Sequence, residues 1–158
     1  MIKVAIIEDN NTIREGLAAL INGTTGYSCV GSYSNCEAFL SKLLLLDVNV
    51  ALMDIGLPGI SGIEGIARSK KIKPELNILM LTVYEDSQSV FKALCAGACG
   101  YLVKKTPPSK LLEAIKDANE GGAPMSSLIA RQVIDVFQKT QNKTKEDDDS
   151  GLSSREIE

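Results

Sequence analysis

The feature that most restricts how this chain can fold is a fivefold alternation of two hydrophobic periods. Short apolar runs recur as IKVAII (Ile2–Ile7), YSCVGS (Tyr27–Ser32), NVALM (Asn49–Met53), NILMLT (Asn77–Thr82) and GYLVK (Gly100–Lys104). Several are apolar at successive positions rather than at every second one, so such a strand has two faces to bury. Between them lie segments of helical period, the first Thr12–Ile21, with Ile13, Leu17, Leu20 and Ile21 on one stripe and Gly23 just past its end. The others run over about Cys36–Leu46, Gly62–Lys70, Ser87–Ala96 and Ser109–Glu120, the last preceded by Pro107 and Pro108, residues suited to a helix start. The pattern predicts an α/β fold, a doubly wound five-stranded parallel sheet with right-handed crossovers.

Beyond Gly121 and Gly122 the spacing of Ile129, Val133, Ile134 and Phe137 predicts an extra helix over Ser126–Thr140. The polar stretch TQNKTKEDDDSG then reads as a linker. In the closing LSSREIE, Ser153 and Glu156 have the spacing of a capping box, which predicts that another helix begins there. No internal repeat is apparent.

Composition excludes several classes of function. The 158 residues suit one domain with a short appendage. A net charge of -3 argues against nucleic-acid binding through an overall positive field. Histidine is absent, which removes imidazole ligands and any histidine general base. Cys29, Cys36, Cys95 and Cys99 lack zinc spacing and read as small buried thiols. Lys3, Glu8 and Asp9 interrupt any signal-like start, and no apolar run nears the ~20 residues of a spanning helix. The expected protein is cytoplasmic, without a membrane partner.

In an open parallel sheet, ligands bind beyond the carboxyl ends of the strands. The first strand delivers Glu8 and Asp9 there, the third Asp54, the fourth Thr82 and the fifth Lys104. Converging carboxylates repel one another and raise each other's pKa values, a conflict that a hard divalent cation removes. Oxygen-only donors with water completing the shell suit Mg²⁺. The Lys104 ammonium and the Thr82 hydroxyl would stabilise charge on a phosphoryl group beside Asp54, whose carboxylate would be the nucleophile. Taken singly, each residue has an ordinary explanation. Glu8 and Asp9 can cap a helix, Asp54 can bond the glycine-rich turn after it, and Thr82 and Lys104 can be common strand-end and surface residues. Those explanations leave unexplained why all five gather at one sheet edge. Gly59, Gly62 and Gly65 fail the dinucleotide fingerprint in spacing and place, and read as turn and close-packing positions.

Four motifs in order, IIEDN, LMDIGLPGISGIE, ILMLTVYED and ALCAGACGYLVKK, resemble those of the two-component response regulator receiver domain, of the subgroup that includes NarL and LuxR-type regulators. The resemblance covers about residues 1–120, and LSSREIE resembles the opening of the LuxR-type helix-turn-helix domain. It implies a flavodoxin-like receiver with strand order 2-1-3-4-5 over residues 1–122, a connector helix over 123–140, a linker over 141–151 and the start of a DNA-binding domain over 152–158. Carried over by position, Asp54 is the phosphoacceptor, and Glu8, Asp9, Asp54 and the main-chain carbonyl of Gly56 hold Mg²⁺. Thr82 and Lys104 contact the phosphoryl oxygens, and Tyr101 is the switch aromatic. In the family the threonine moves toward the phosphoryl group, the aromatic turns inward, and the surface of the fourth helix, fifth strand and fifth helix controls an output. The implied partners are a sensor histidine kinase, DNA through the C-terminal domain, and a second copy of the chain as a homodimer. The implied activity is that of a switch catalysing its own phosphorylation and dephosphorylation, not of a turnover enzyme.

The sequence also departs from the family. Lys105 follows Lys104 where proline is common, and a cis bond there without proline would cost about 3 kcal/mol. Val83 is bulkier than the usual alanine or serine. Gly56 and Tyr84 occupy the positions that tune dephosphorylation in relatives, and Tyr84 is expected to shield the acyl phosphate from water. Two rival readings are a phosphatase working through an aspartyl intermediate, and a phosphorylation-independent interaction module. The first lacks a second aspartate two residues after Asp54, where Gly56 stands; the second leaves the complete set of site residues unexplained.

Overall fold

The computed structural model describes residues 1–141; the greater part of the expected linker and the expected helix-turn-helix start lie outside the described residues. Ten elements alternate: β1 Ile2–Ile7, α1 Asn11–Asn22, β2 Tyr27–Tyr33, α2 Cys36–Leu43, β3 Val50–Met53, α3 Gly62–Ile72, β4 Asn77–Thr82, α4 Ser87–Ala96, β5 Gly100–Val103 and α5 Pro108–Asn119. A further helix, α6, covers 127–141. The strands form one sheet in the order β2-β1-β3-β4-β5, with every pairing parallel. Fold class and strand order are those expected.

Strand parity explains the layering. Val4 and Ile6 of β1, Val50 and Leu52 of β3, Leu79 and Leu81 of β4, and Leu102 of β5 join Ile21, Leu111 and Ile115 of α1 and α5 in one core. Their alternate neighbours Ala5, Ile7, Ala51, Met53, Ile78, Met80 and Tyr101 face the other way, with Phe39, Ile66 and Val90 of α2, α3 and α4. The central strands β1, β3 and β4 therefore read as apolar over most of their length, because helices cover both faces.

Local chemistry sets the helix starts. Asn10, Asn35, Ser61 and Asp86 accept from the backbone N–H of Ile13, Ala38, Glu64 and Ser89, capping α1 to α4. Helix α5 begins on Pro108, and the Ser126 Oγ accepts from Ile129 N at 3.2 Å to cap α6. The largest difference from expectation is at α2, which stops at Leu43 rather than Leu46, while the other ends agree to within two residues. Leu45 and Leu46 donate to the carbonyls three residues back, tightening the turn, and Leu44 and Leu45 face solvent. Asn49 N then joins Lys3 O, committing the chain to β3. Among the described residues no helix is long and apolar enough to cross a membrane.

Candidate functional site

The site lies where β1, β3, β4 and β5 end. Asp54 follows the last residue of β3, and its N–H donates to Ile7 O of β1 at 3.2 Å. Close approach of α3 fixes the loop behind it. Gly62 N donates to Ile55 O at 2.8 Å, and a Cβ at Gly62 would stand 1.9 Å from the Asp54 carbonyl oxygen. Only glycine fits there. Gly59, with φ +75°, makes the turn that brings the chain round. The three-spaced glycines thus act in turning and close packing, as expected.

Glu8 and Asp54 are buried, at 3% and 5% exposure, while Asp9 is open to solvent. One oxygen from each of the three carboxylates can be chosen so that all lie within 4.8 Å of one another. Lys104, just past β5, reaches into this cluster: its Nζ lies 2.6 Å from Glu8 Oε1 and 2.8 Å from Asp54 Oδ2. The second oxygens of Asp54 and Glu8 are also engaged. Asp54 Oδ1 accepts from Ile55 N at 2.7 Å, and Glu8 Oε2 accepts from Asn10 N at 3.1 Å. Burial pushes the Glu8 carboxyl above its ordinary value, an effect that Lys104 and the Asn10 N–H only partly offset. For Lys104, burial works against the ammonium, yet bonds to Asp54 and Glu8 outweigh it and raise the pKa. An ammonium is thus the charge that lets these acids share a pocket.

Thr82 ends β4, fully buried, and its Oγ1 accepts from Tyr84 N at 3.4 Å. Tyr101 in β5 is also fully buried, and its hydroxyl donates to Tyr84 O at 2.5 Å. Tyr101 therefore sits inside the fold, linked to the site through the loop after Thr82. Gly56 lies under the Tyr84 ring, where a Cβ would meet the hydroxyl at 2.9 Å. Val83 is 65% exposed. The Lys104–Lys105 bond is trans, like every described peptide bond, so the junction forms without proline. Lys105 turns outward, 3.6 Å from Glu85 Oε1.

Two contributors escaped the sequence reading. Arg14 donates to Glu8 O at 2.7 Å and holds the turn that carries the acidic pair. A clue was present, since a cation in the first turn of a helix opposes the macrodipole and calls for a separate reason. The other is the segment around Pro124 and Met125, which joins the edge of β5: Tyr101 N donates to Pro124 O at 3.0 Å.

Fold and site together define a doubly wound α/β protein with an acidic, lysine-bridged cleft at the carboxyl ends of its strands. The family described as the response regulator receiver domain matches residues 4–116, and the chain belongs to that family. Its relatives are response regulators and transcriptional regulatory proteins. It is similar to the response regulator GacA of Pseudomonas syringae, with 31% identity over 159 aligned positions covering 100% of this chain and 73% of that protein. It is equally similar to YxjL of Bacillus subtilis, described as an uncharacterized transcriptional regulatory protein, 31% identical over 99% of this chain and 72% of that one. Among solved structures, a LuxR-family two-component response regulator from Aurantimonas sp. matches with TM-score 0.79 and 28% identity, covering 85% of this chain and 96% of that one.

Proposed function

We propose that this chain is the receiver of a two-component response regulator, with Asp54 as phosphoacceptor and the cleft around it as the phosphotransfer site. The observation that carries the reading is the Lys104 ammonium lying between two buried carboxylates from different strands, one of them Asp54. The chain has no histidine, so a phosphohistidine donor must come from a partner, a sensor histidine kinase. An Asp54 carboxylate oxygen attacks the phosphorus, the P–N bond to the donor imidazole breaks, and the nitrogen leaves with the bonding pair. The product is an acyl phosphate. Lys104, released from its bridge, places its positive charge on the phosphoryl oxygens, and the Thr82 hydroxyl donates to one of them.

The donors around Asp54 fit a hard cation: all are oxygens, they converge, and the single Lys104 ammonium offsets only part of the charge of three carboxylates. Glu8, Asp9, Asp54 and the carbonyl of Gly56 would hold Mg²⁺. When bound, the ion neutralises the phosphoryl charge. The chain itself orients the acids through Arg14 and Asn10, and sets Asp54 through Ile7 and Ile55.

The names of the relatives support a transcriptional output. It would act through a DNA-binding domain beginning near Leu152, connected by residues 123–151 and used by a cytoplasmic protein that also pairs with a second copy. The protein is a switch that forms and hydrolyses its own acyl phosphate, not a turnover enzyme. The test is acetyl phosphate with and without Mg²⁺, followed by intact mass. The expected result is one phosphoryl increment that requires Mg²⁺ and is lost in Asp54→Asn. An undiminished increment in Asp54→Asn overturns the reading, and steady turnover of a phosphate ester points instead to the phosphatase.

A further inference from the structure

The β5 edge beside the switch aromatic, and the inward face of α4 at Val90 and Ala93, are already covered by the chain itself. After Gly121, whose φ of +90° turns the chain back, Pro124 and Met125 run parallel to β5 and bridge to Tyr101. The fit is close: a Cβ on Gly100 would stand 2.4 Å from Pro124 O, so the bare backbone of β5 admits the segment. Helix α6 then lays Ile129, 1% exposed, into the core cluster that holds Tyr101, Val90 and Ala93, and Val133 packs against the same cluster.

Hydrogen bonds run in sequence from the site to this roof. Thr82 Oγ1 accepts from Tyr84 N, Tyr84 O accepts from Tyr101 Oη, and Tyr101 N donates to Pro124 O. A Tyr101 ring swung outward past the β5 edge would enter the place of Met125 and Ile129, so the seated roof needs the ring inward. A phosphoryl group on Asp54 would draw the Thr82 hydroxyl away from the Tyr84 loop and leave room for the same inward ring. Both events thus favour one Tyr101 position, and a two-state element biased from two sites couples them.

The roof is also built to lift. Gln132, one turn from Ile129, carries a buried Oε1 without a hydrogen-bond partner among the described residues. An orphaned amide oxygen weakens docking relative to an apolar group of the same shape.

Resting on the phosphoacceptor reading, we propose that residues 124–133 are the receiver's own docking partner for the Tyr101 face, seated more firmly when Asp54 carries a phosphoryl group. The signal leaves the domain through α6 rather than through an open surface of α4, β5 and α5.

Linkage makes the test reciprocal. Hydrogen exchange of residues 124–136 is measured on the full chain with Mg²⁺, with and without beryllofluoride, at two protein concentrations. Beryllofluoride affinity is measured on the same samples. The expected result is protection rising about fivefold or more on beryllofluoride binding. Ile129→Ser then loses beryllofluoride affinity by the same factor, and Gln132→Leu gains both protection and affinity. Unchanged protection in a chain that binds beryllofluoride overturns the coupling and leaves the phosphoacceptor reading standing. So does wild-type affinity in a folded Ile129→Ser. Protection that depends on concentration assigns the roof to a second copy and also overturns the proposal. Failure of Asp54 to take a label from acetyl phosphate removes the phosphoacceptor reading and this proposal together.

Discussion

Replacing Gly62 by alanine adds one methyl group at the point where α3 meets the loop of Asp54. That Cβ would stand 1.9 Å from the Asp54 carbonyl oxygen and 2.7 Å from both the Asp54 carbonyl carbon and Ile55 Cα. All three neighbours are backbone, so no side chain can swing aside. Bringing the oxygen out to the 3.0 Å that real Cβ atoms respect requires α3 and the loop to part by about 1 Å. Overpacking costs roughly 1–3 kcal/mol, and a wall of backbone places this case near the upper end. With a urea dependence of about 2 kcal/mol per molar, the unfolding midpoint should fall by about 1.5 M. Asp54 moves with its loop, and a misplacement of about 1 Å at a reacting centre slows the step by roughly a hundredfold. The assay pairs urea unfolding with the rate of labelling by acetyl phosphate. The control is the same substitution at Gly16, within α1, where no described residue outside the local helix backbone lies within 4 Å of the added Cβ. There alanine should stabilise by about 0.5–1 kcal/mol without changing labelling. Wild-type stability and rate in Gly62→Ala would show that the close approach of α3 does not set the site.

The remaining predictions concern the loop after β4 and the buried thiols. Tyr84, packed over Gly56, is expected to keep water from the acyl phosphate, so Tyr84→Ala should shorten its lifetime severalfold; an unchanged half-life of the mass label disproves the shielding. Cys36 is fully buried, and burial pushes its thiol from 9.0 up to about 11. At pH 8 it should resist iodoacetamide while the exposed Cys95 reacts, as peptide mapping would reveal. Because the folded state holds that proton more tightly, its contribution to stability is complete below pH 9.0 and is lost as pH rises toward about 11. The loss is on the order of 2 kcal/mol. Urea midpoints that stay level across that window would contradict it.

The architecture was legible because strands with two buried faces write their burial into both parities. Val4 and Ala5, or Val50 and Ala51, belong to opposite cores, yet both are apolar in the sequence. Parallel topology then delivers Glu8, Asp9, Asp54 and Lys104 to one edge without further information. What stayed hidden depends on where distant segments come to rest. Soon after α2 ends, Asn49 pairs with Lys3, 46 positions away, a contact that no local pattern carries. Lys104 was expected beside Asp54, but its bond to Glu8 depends on how deeply the lysine is drawn inward. The apolar stripe of α6 was visible, but not that Ile129 would close over Tyr101.

The short bridge between Tyr101 and Met125 has a consequence for anyone trimming the protein. A sheet margin bare of its neighbour offers unsatisfied amides and carbonyls to any passing strand, an invitation to clump. Cutting the chain at residue 123 would strip β5 of that guard and lay Tyr101 open. The shortened domain should be prone to precipitate even with every residue around Asp54 in place.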